Sequence, residues 1–299
     1  MKTYKQIRVQ SHAGECLADI DPQKLEPLLN WPACARDWKF LRRVSSHGTW
    51  TYRFRTDLGL GEQEYFIKVF NKLEMYQKLR RKLFTLKGLK KFWRSAKAFG
   101  KFLVYPMPVK IGFEKGRVLL AKGIPTAQPI AYLARPGRFQ AWGFIITGKI
   151  PGIVGDNLAE YLKQRKNELG AAAFAKEKHF LIEEGAKLFS RLMQLDFYLP
   201  DLRVSNLLVE RKPDGSFKLW VIDLAEAEDR KPREHKMLYH LLANPHYASL
   251  FTGTDKIRFL KKYISSAGLK KDWPALCNQV SPLLKAWHQK WHQKNFSLE

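Results

Sequence analysis

The side chains with the most to say about chemistry lie in one stretch, Asp201-Leu-Arg-Val-Ser-Asn206-Leu-Leu-Val-Glu-Arg-Lys-Pro213-Asp214-Gly215-Ser-Phe-Lys-Leu-Trp-Val-Ile-Asp223. Asp214-Gly215 between two apolar alternations is a strong signal for a β-hairpin, because a two-residue turn of the favoured kind needs positive φ at its centre. With the turn centred on that pair, Asn206 is expected directly opposite Asp223. An amide oxygen and a carboxylate at the open end of a hairpin, with Asp201 in the loop just upstream, make an oxygen cage suited to a hard cation such as Mg²⁺. Taken singly, Asn206 could simply end a strand and Asp223 cap the following turn. Their joint spacing is what favours a functional cage.

Several elements must hold these groups in place. Trp50, Tyr52 and Phe54 alternate with Thr51, Arg53 and Arg55, then Leu58-Gly59-Leu60-Gly61 turns the chain back through Glu64 to Phe70. That pattern predicts an antiparallel hairpin. From Lys68 to Lys101 twelve Lys or Arg stand against one acid, Glu74. Pro106 and Pro108 close that stretch, a helix is expected over about 109–122, and Gly123-Ile124-Pro125 stops it. Strands are expected near 129–133 and 142–147, and Pro151-Gly152 reads as a hinge. Beyond it the pattern is mostly helical: Asp156 or Asn157 can cap one helix, and 171–196 carries an apolar stripe through Phe174, Leu181, Leu188, Leu192 and Leu195. Helices resume near Glu234, and no internal repeat is visible.

Composition sets outer bounds. Among 299 residues, 45% are hydrophobic and 13% aromatic, enough to build a core and to exclude a disordered chain. Lys and Arg number 53 against 28 Asp and Glu, a net charge of +25, so an anionic partner is expected. Cys16, Cys34 and Cys277 share no metal-ligand spacing and read as reduced thiols. The polar start and the lack of a long apolar run predict a cytoplasmic protein that can touch a membrane from that side.

Asp201, Asn206 five residues later and Asp223 at the end of the next hairpin resemble the catalytic loop and metal-binding Asp of protein-kinase-like folds. Phe66-Ile67-Lys68 resembles their third strand. In detail the chain resembles the bacterial lipopolysaccharide core kinases, the heptose and Kdo kinase family. A strand ending in Lys is followed by a very basic segment, a helix, a Gly123-Ile124-Pro125-Thr126 step and a hinge around Ile145 to Gly152. The likeness spans roughly residues 40 to 240.

This resemblance implies an α+β fold with two lobes, a small strand-rich N-lobe and a larger helical C-lobe. Residues 1–37 would form an N-terminal extension, 38–148 the nucleotide-binding N-lobe with a basic helical insertion at about 72–108, and 149–299 the C-lobe. ATP and Mg²⁺ are the implied cofactors. Asp201 would accept the proton of the attacking hydroxyl, Arg203 would steady the transferring phosphoryl group, and Asn206 and Asp223 would hold the metal. Lys68 would neutralise nucleotide phosphates, with Glu114 the acid expected to orient it, and Ser46, Gly48 and Thr49 would cradle the phosphates from a loop with a single glycine. On local evidence alone Lys68 could equally snorkel to solvent and Arg203 be merely solvated. The chain also departs from the kinase pattern: Leu199 stands where a His is usual, and Asp223-Leu224-Ala225 replaces Asp-Phe-Gly.

The implied acceptor is a sugar hydroxyl, heptose being favoured, on the lipopolysaccharide core glycolipid. The basic segment 72–101, with leucines at helical spacing, is expected to lie on an anionic membrane surface; a solvated face is the blander alternative, and nucleic acid the least favoured. The Trp287-His288 and Trp291-His292 repeat reads as an amphipathic terminal helix rather than a metal site. A phosphotransferase acting on a small molecule or protein hydroxyl, and a non-catalytic kinase-shaped adaptor, remain the competing functions.

Overall fold

A computed structural model describes residues 2–31, 33–44, 49–71, 108–135, 142–195, 197–242, 250–270, 272–279 and 281. Loop residues 45–48, including Ser46 and Gly48, the basic segment 72–101 and the terminal Trp/His repeat lie outside the described residues. The chain divides into two compact units, one of residues 1–121 with 127–150, the other of 122–126 with 151–299.

In the first unit, period-two alternation yields seven strands: β1 (Tyr4–Val9), β2 (His12–Leu17), β3 (Lys39–Val44), β4 (Thr49–Asp57), β5 (Glu62–Asn71), β6 (Pro129–Ala134) and β7 (Trp142–Gly148). They form one antiparallel sheet in the order β1-β2-β6-β7-β5-β4-β3. One face is apolar. Ile67, Val69, Leu133, Phe144 and Ile146 pack there with Leu25 and Leu28 of a 3₁₀ segment, Pro22–Asn30. Each such side chain, fully buried, contributes about 1.5–3 kcal/mol. Helix α1 (Pro108–Ala121) covers the opposite face, its Phe113 ring 4.9 Å from that of Tyr132 on β6. Residues 4–17, which the sequence marks off as an extension, supply two strands of this sheet. Their turn hides from sequence because the positive φ that a hairpin wants falls on Gln10 (φ 52°), not on glycine or asparagine.

The second unit is built on a three-stranded sheet, β8 (Ile153–Val154), β9 (Leu207–Arg211) and β10 (Phe217–Val221), in the order β10-β9-β8. Around it lie α2 (Leu158–Glu168), α3 (Ala171–Met193), α4 (Glu234–Leu242) and α5 (Gly253–Ala267). Asn157 caps α2 by accepting from the Ala159 and Glu160 amides. Helices α3 and α5 pack through Phe189, whose ring stands 5.9 Å from Phe259 and 4.9 Å from Tyr263. A buried ion pair, Lys178 Nζ to Asp255 Oδ2 at 2.6 Å, ties α3 to the capping box that starts α5. Segment 122–126 docks on β10: the Val221 amide donates to Pro125 O (2.9 Å), and Thr126 Oγ1 donates to Val221 O (2.6 Å).

The β9–β10 hairpin forms where expected but one residue out of the expected register. Leu207 faces Val221 and Arg211 faces Phe217, so Asn206 stands opposite Ile222, whose amide donates to Asn206 O at 3.0 Å. The cause is the turn. The Gly215 amide donates to Lys212 O (3.0 Å) and the Lys212 amide to Ser216 O (2.9 Å), leaving Pro213, Asp214 and Gly215 as a three-residue loop. Gly215 alone has positive φ there, at 78°, so Asp214-Gly215 is the end of a turn followed by a bulge rather than the centre of a two-residue turn.

Candidate active site

A slip of one residue within a strand would send Asp223 to the opposite face. Asp223 escapes this because it lies past the end of β10, in the left-handed region at φ 63°. That conformation costs a non-glycine residue about 1–2 kcal/mol and turns the chain away from the strand direction.

Two backbone connections then close a frame around the loops that carry the charged groups. At one end Ile222 bonds Asn206. At the other, Tyr198 and Glu228 exchange a pair of hydrogen bonds, 2.9 Å from the Tyr198 amide to Glu228 O and 3.0 Å in return. The Arg230 guanidinium lies 4.1 Å over the Tyr198 ring and reinforces that end. The stretches 198–206 and 222–230 are thereby held side by side, and Asp201, Asp223 and Glu226 line one small recess between them.

Inside the frame, Asn206 is buried and its Nδ2 donates to Asp201 O (2.9 Å) and Asp201 Oδ2 (3.1 Å). With both contacts made by the nitrogen, Oδ1 is the amide atom left to face a cation. Arg203 pairs with the other carboxylate oxygen of Asp201. The carboxylate is therefore held on both oxygens, which fixes its direction, while Arg203 itself remains 44% exposed and open to an anion. Asp223 is exposed. Among the described residues no cluster of three or more His, Cys, Asp or Glu side chains is positioned for a metal. The set at this site is two carboxylates and an amide, all oxygen donors of the kind Mg²⁺ prefers.

One residue near this frame went unmarked by the sequence. His240, on α4, feels the charges of both Arg203 and Asp201; burial first, then Arg203 and Lys236, lower its pKa against the opposing pull of Asp201. No motif places a histidine on that helix next to the loop.

The remaining predicted residues belong to the first unit. Thr49 begins β4, is buried, and faces Phe70. Lys68 sits on β5, half-buried, its Nζ 5.3 Å from the Phe70 ring centroid. Its cross-strand neighbours run Lys68–Ile145–Tyr132–Glu15 through β7, β6 and β2, and side chains so paired share one face. It is the face α1 covers. Glu114 on α1 pairs with Lys110 at 3.6 Å. Burial, together with the nearby Glu15 and Glu114 carboxylates, pushes the Tyr132 phenol up to about 12.

Comparison with known proteins adds three findings. The family model "Lipopolysaccharide kinase (Kdo/WaaP) family" matches residues 74–263, more than half of the chain. Among solved structures the fold is similar to "WaaP in complex with acyl carrier protein", with a TM-score of 0.56 and 19% identity, covering 92% of this chain and 97% of that one. No curated protein matches the chain. The matched span contains Glu114, Asp201, Arg203, Asn206 and Asp223; Thr49 and Lys68 precede it.

Proposed function

The chain belongs to the lipopolysaccharide kinase (Kdo/WaaP) family, a family of phosphotransferases acting on sugar hydroxyls, and from that premise we propose that it phosphorylates a heptose hydroxyl of the lipopolysaccharide inner core with ATP as donor. The observation that carries this reading is the closed frame inside the family-matched span, in which Asp201 and Asp223 line one recess and Asn206 donates to Asp201.

Asp201 accepts the proton of the attacking hydroxyl, with Asn206 and Arg203 fixing its two oxygens in direction. Asn206 and Asp223 are the residues that would hold Mg²⁺, which supplies charge neutralisation at the donor phosphates. Lys68 adds a compact positive charge for those phosphates. Arg203 keeps enough exposure to spread charge over the transferring group.

No helix among the described residues is long and apolar enough to cross a membrane. A peripheral position at the cytoplasmic face of the inner membrane is supported by sequence: residues 72–101 bring a dense run of Lys and Arg, and each cation near an anionic surface contributes about 1 kcal/mol.

Purified protein incubated with ATP, Mg²⁺ and dephosphorylated core glycolipid should transfer phosphate to heptose far above an Asp201→Ala control. Transfer no greater than that control would overturn the assignment. Preference for soluble sugars or proteins over glycolipid would overturn the acceptor alone.

A further inference from the structure

Nothing in the proposed reaction uses residues 4–17, yet they grip the helix that covers the Lys68 face. Arg117 of α1 places Nη1 2.6 Å from Glu15 Oε2 on β2, and the Glu15 side chain is only 13% exposed. The same guanidinium lies 4.1 Å over the Tyr4 ring on β1. Tyr4 meets Phe113 edge-on at 5.3 Å, and its hydroxyl is itself tied down, donating to Pro129 O (3.3 Å) and accepting from Gln128 Nε2 (2.5 Å). An ion pair, a cation–π contact and an aromatic contact thus converge on one turn of α1, the turn that also carries Glu114.

Glu15 is not itself a plausible partner for Lys68. The two are separated by two intervening strands, β6 and β7, hence by three inter-strand steps of about 4.8 Å. That span exceeds the combined reach of a glutamate and a lysine side chain. The side chain that Glu15 does engage is Arg117 of α1.

We infer that Glu15 and Arg117 are positioning residues: the β1–β2 hairpin clamps α1 on the sheet face that carries Lys68 and so sets the affinity for nucleotide. This rests on the nucleotide reading of Lys68 given above. Neither residue touches the reacting groups. Removing one charge of this half-buried pair costs more than breaking an exposed one, because the other charge is left partly desolvated and unmatched.

The test uses the full chain with two readouts: hydrogen exchange of the α1 amides without nucleotide, and Mg-ATP affinity by calorimetry. In Glu15→Gln and Arg117→Met, exchange across 108–121 should quicken and the Kd for Mg-ATP rise about five- to tenfold, the low end of long-range coupling. The double variant should be no worse than either single one, since both remove the same contact. Arg117→Lys, which keeps the charge, should recover most of the affinity and guards against a variant that merely fails to fold. Asp57→Asn, which breaks the exposed Lys24–Asp57 pair elsewhere in the same unit, should change neither readout. Wild-type exchange in α1, or an unchanged Kd despite faster exchange, overturns the clamp. Should the wild-type chain bind no Mg-ATP at all, the nucleotide reading falls, and α1 exchange alone then decides whether the clamp exists.

Discussion

The loop frame of the second unit and the side-chain row of the first arrange charged groups in opposite ways. In the frame, main-chain hydrogen bonds at Asn206–Ile222 and Tyr198–Glu228 fix the geometry, and every group that matters falls between residues 198 and 230. In the row, Glu15, Tyr132, Ile145 and Lys68 line up only because four strands pair in one register, and the contacts that hold α1 above them among the described residues are made by side chains. Backbone stitching tolerates side-chain change and travels with a short motif. A row assembled from distant strands depends on the whole sheet, and Lys68 lies outside the span that the family model matches.

The sharpest test of this contrast is Asp201→Asn. Loss of the proposed base within an otherwise intact frame should lower kcat by about 10²–10⁴ while leaving Mg-ATP affinity and thermal stability near wild type. A collapse in stability instead would mean that the side chain, not the backbone, holds the frame. Next in size is Asp223→Asn, which keeps a residue that tolerates left-handed φ but removes a charge. The Mg²⁺ concentration for half-maximal rate should rise roughly 10- to 100-fold. Lys68→Ala is expected to act on binding: the KM for ATP should increase about tenfold with a smaller change in kcat, the mark of an interaction shared by ground and transition states.

Gly215→Ala probes the turn that shifted the register. With φ at 78°, alanine there should cost about 1–2 kcal/mol, read as a fall of a few degrees in melting temperature with activity retained. The smallest effect concerns acid stability. Burial lowers the pKa of His12 in the first unit and of His240 in the second. The unfolded chain therefore binds the extra protons first, so this contribution to stability is complete above the unfolded pKa of about 6.5 and declines as pH falls below it. His12→Gln and His240→Gln should each flatten that decline, as measured by denaturant melts across the acid limb.

The same contrast explains what the sequence could reveal. That the segments carrying Asp201, Asn206 and Asp223 lie side by side is readable because a hairpin brings near neighbours together, and Asp214-Gly215 marks where it bends. Its register is not readable, since glycine serves a turn at more than one position and only the Gly215 and Lys212 hydrogen bonds choose between them. Helix α1 and strands β6 and β7 begin and end within about two residues of expectation, because Pro108, Gly123 and Pro125 punctuate them. Strands β1 and β2 escape notice for want of a glycine or asparagine at Gln10. With them goes the Glu15–Arg117 pair, whose members lie far apart in sequence and acquire meaning only once the sheet is complete.

The short run 122–126 limits how this chain can be taken apart. It sits in sequence between α1 and β6, yet Pro125 and Thr126 complete the hydrogen bonding of Val221, and Arg191 donates to Gly123 O. A truncated fragment starting at Pro151 would expose the edge of β10 just before Asp223, inviting self-association. Dissection for crystallography or complementation would succeed better if that pentapeptide were grafted back or supplied in trans.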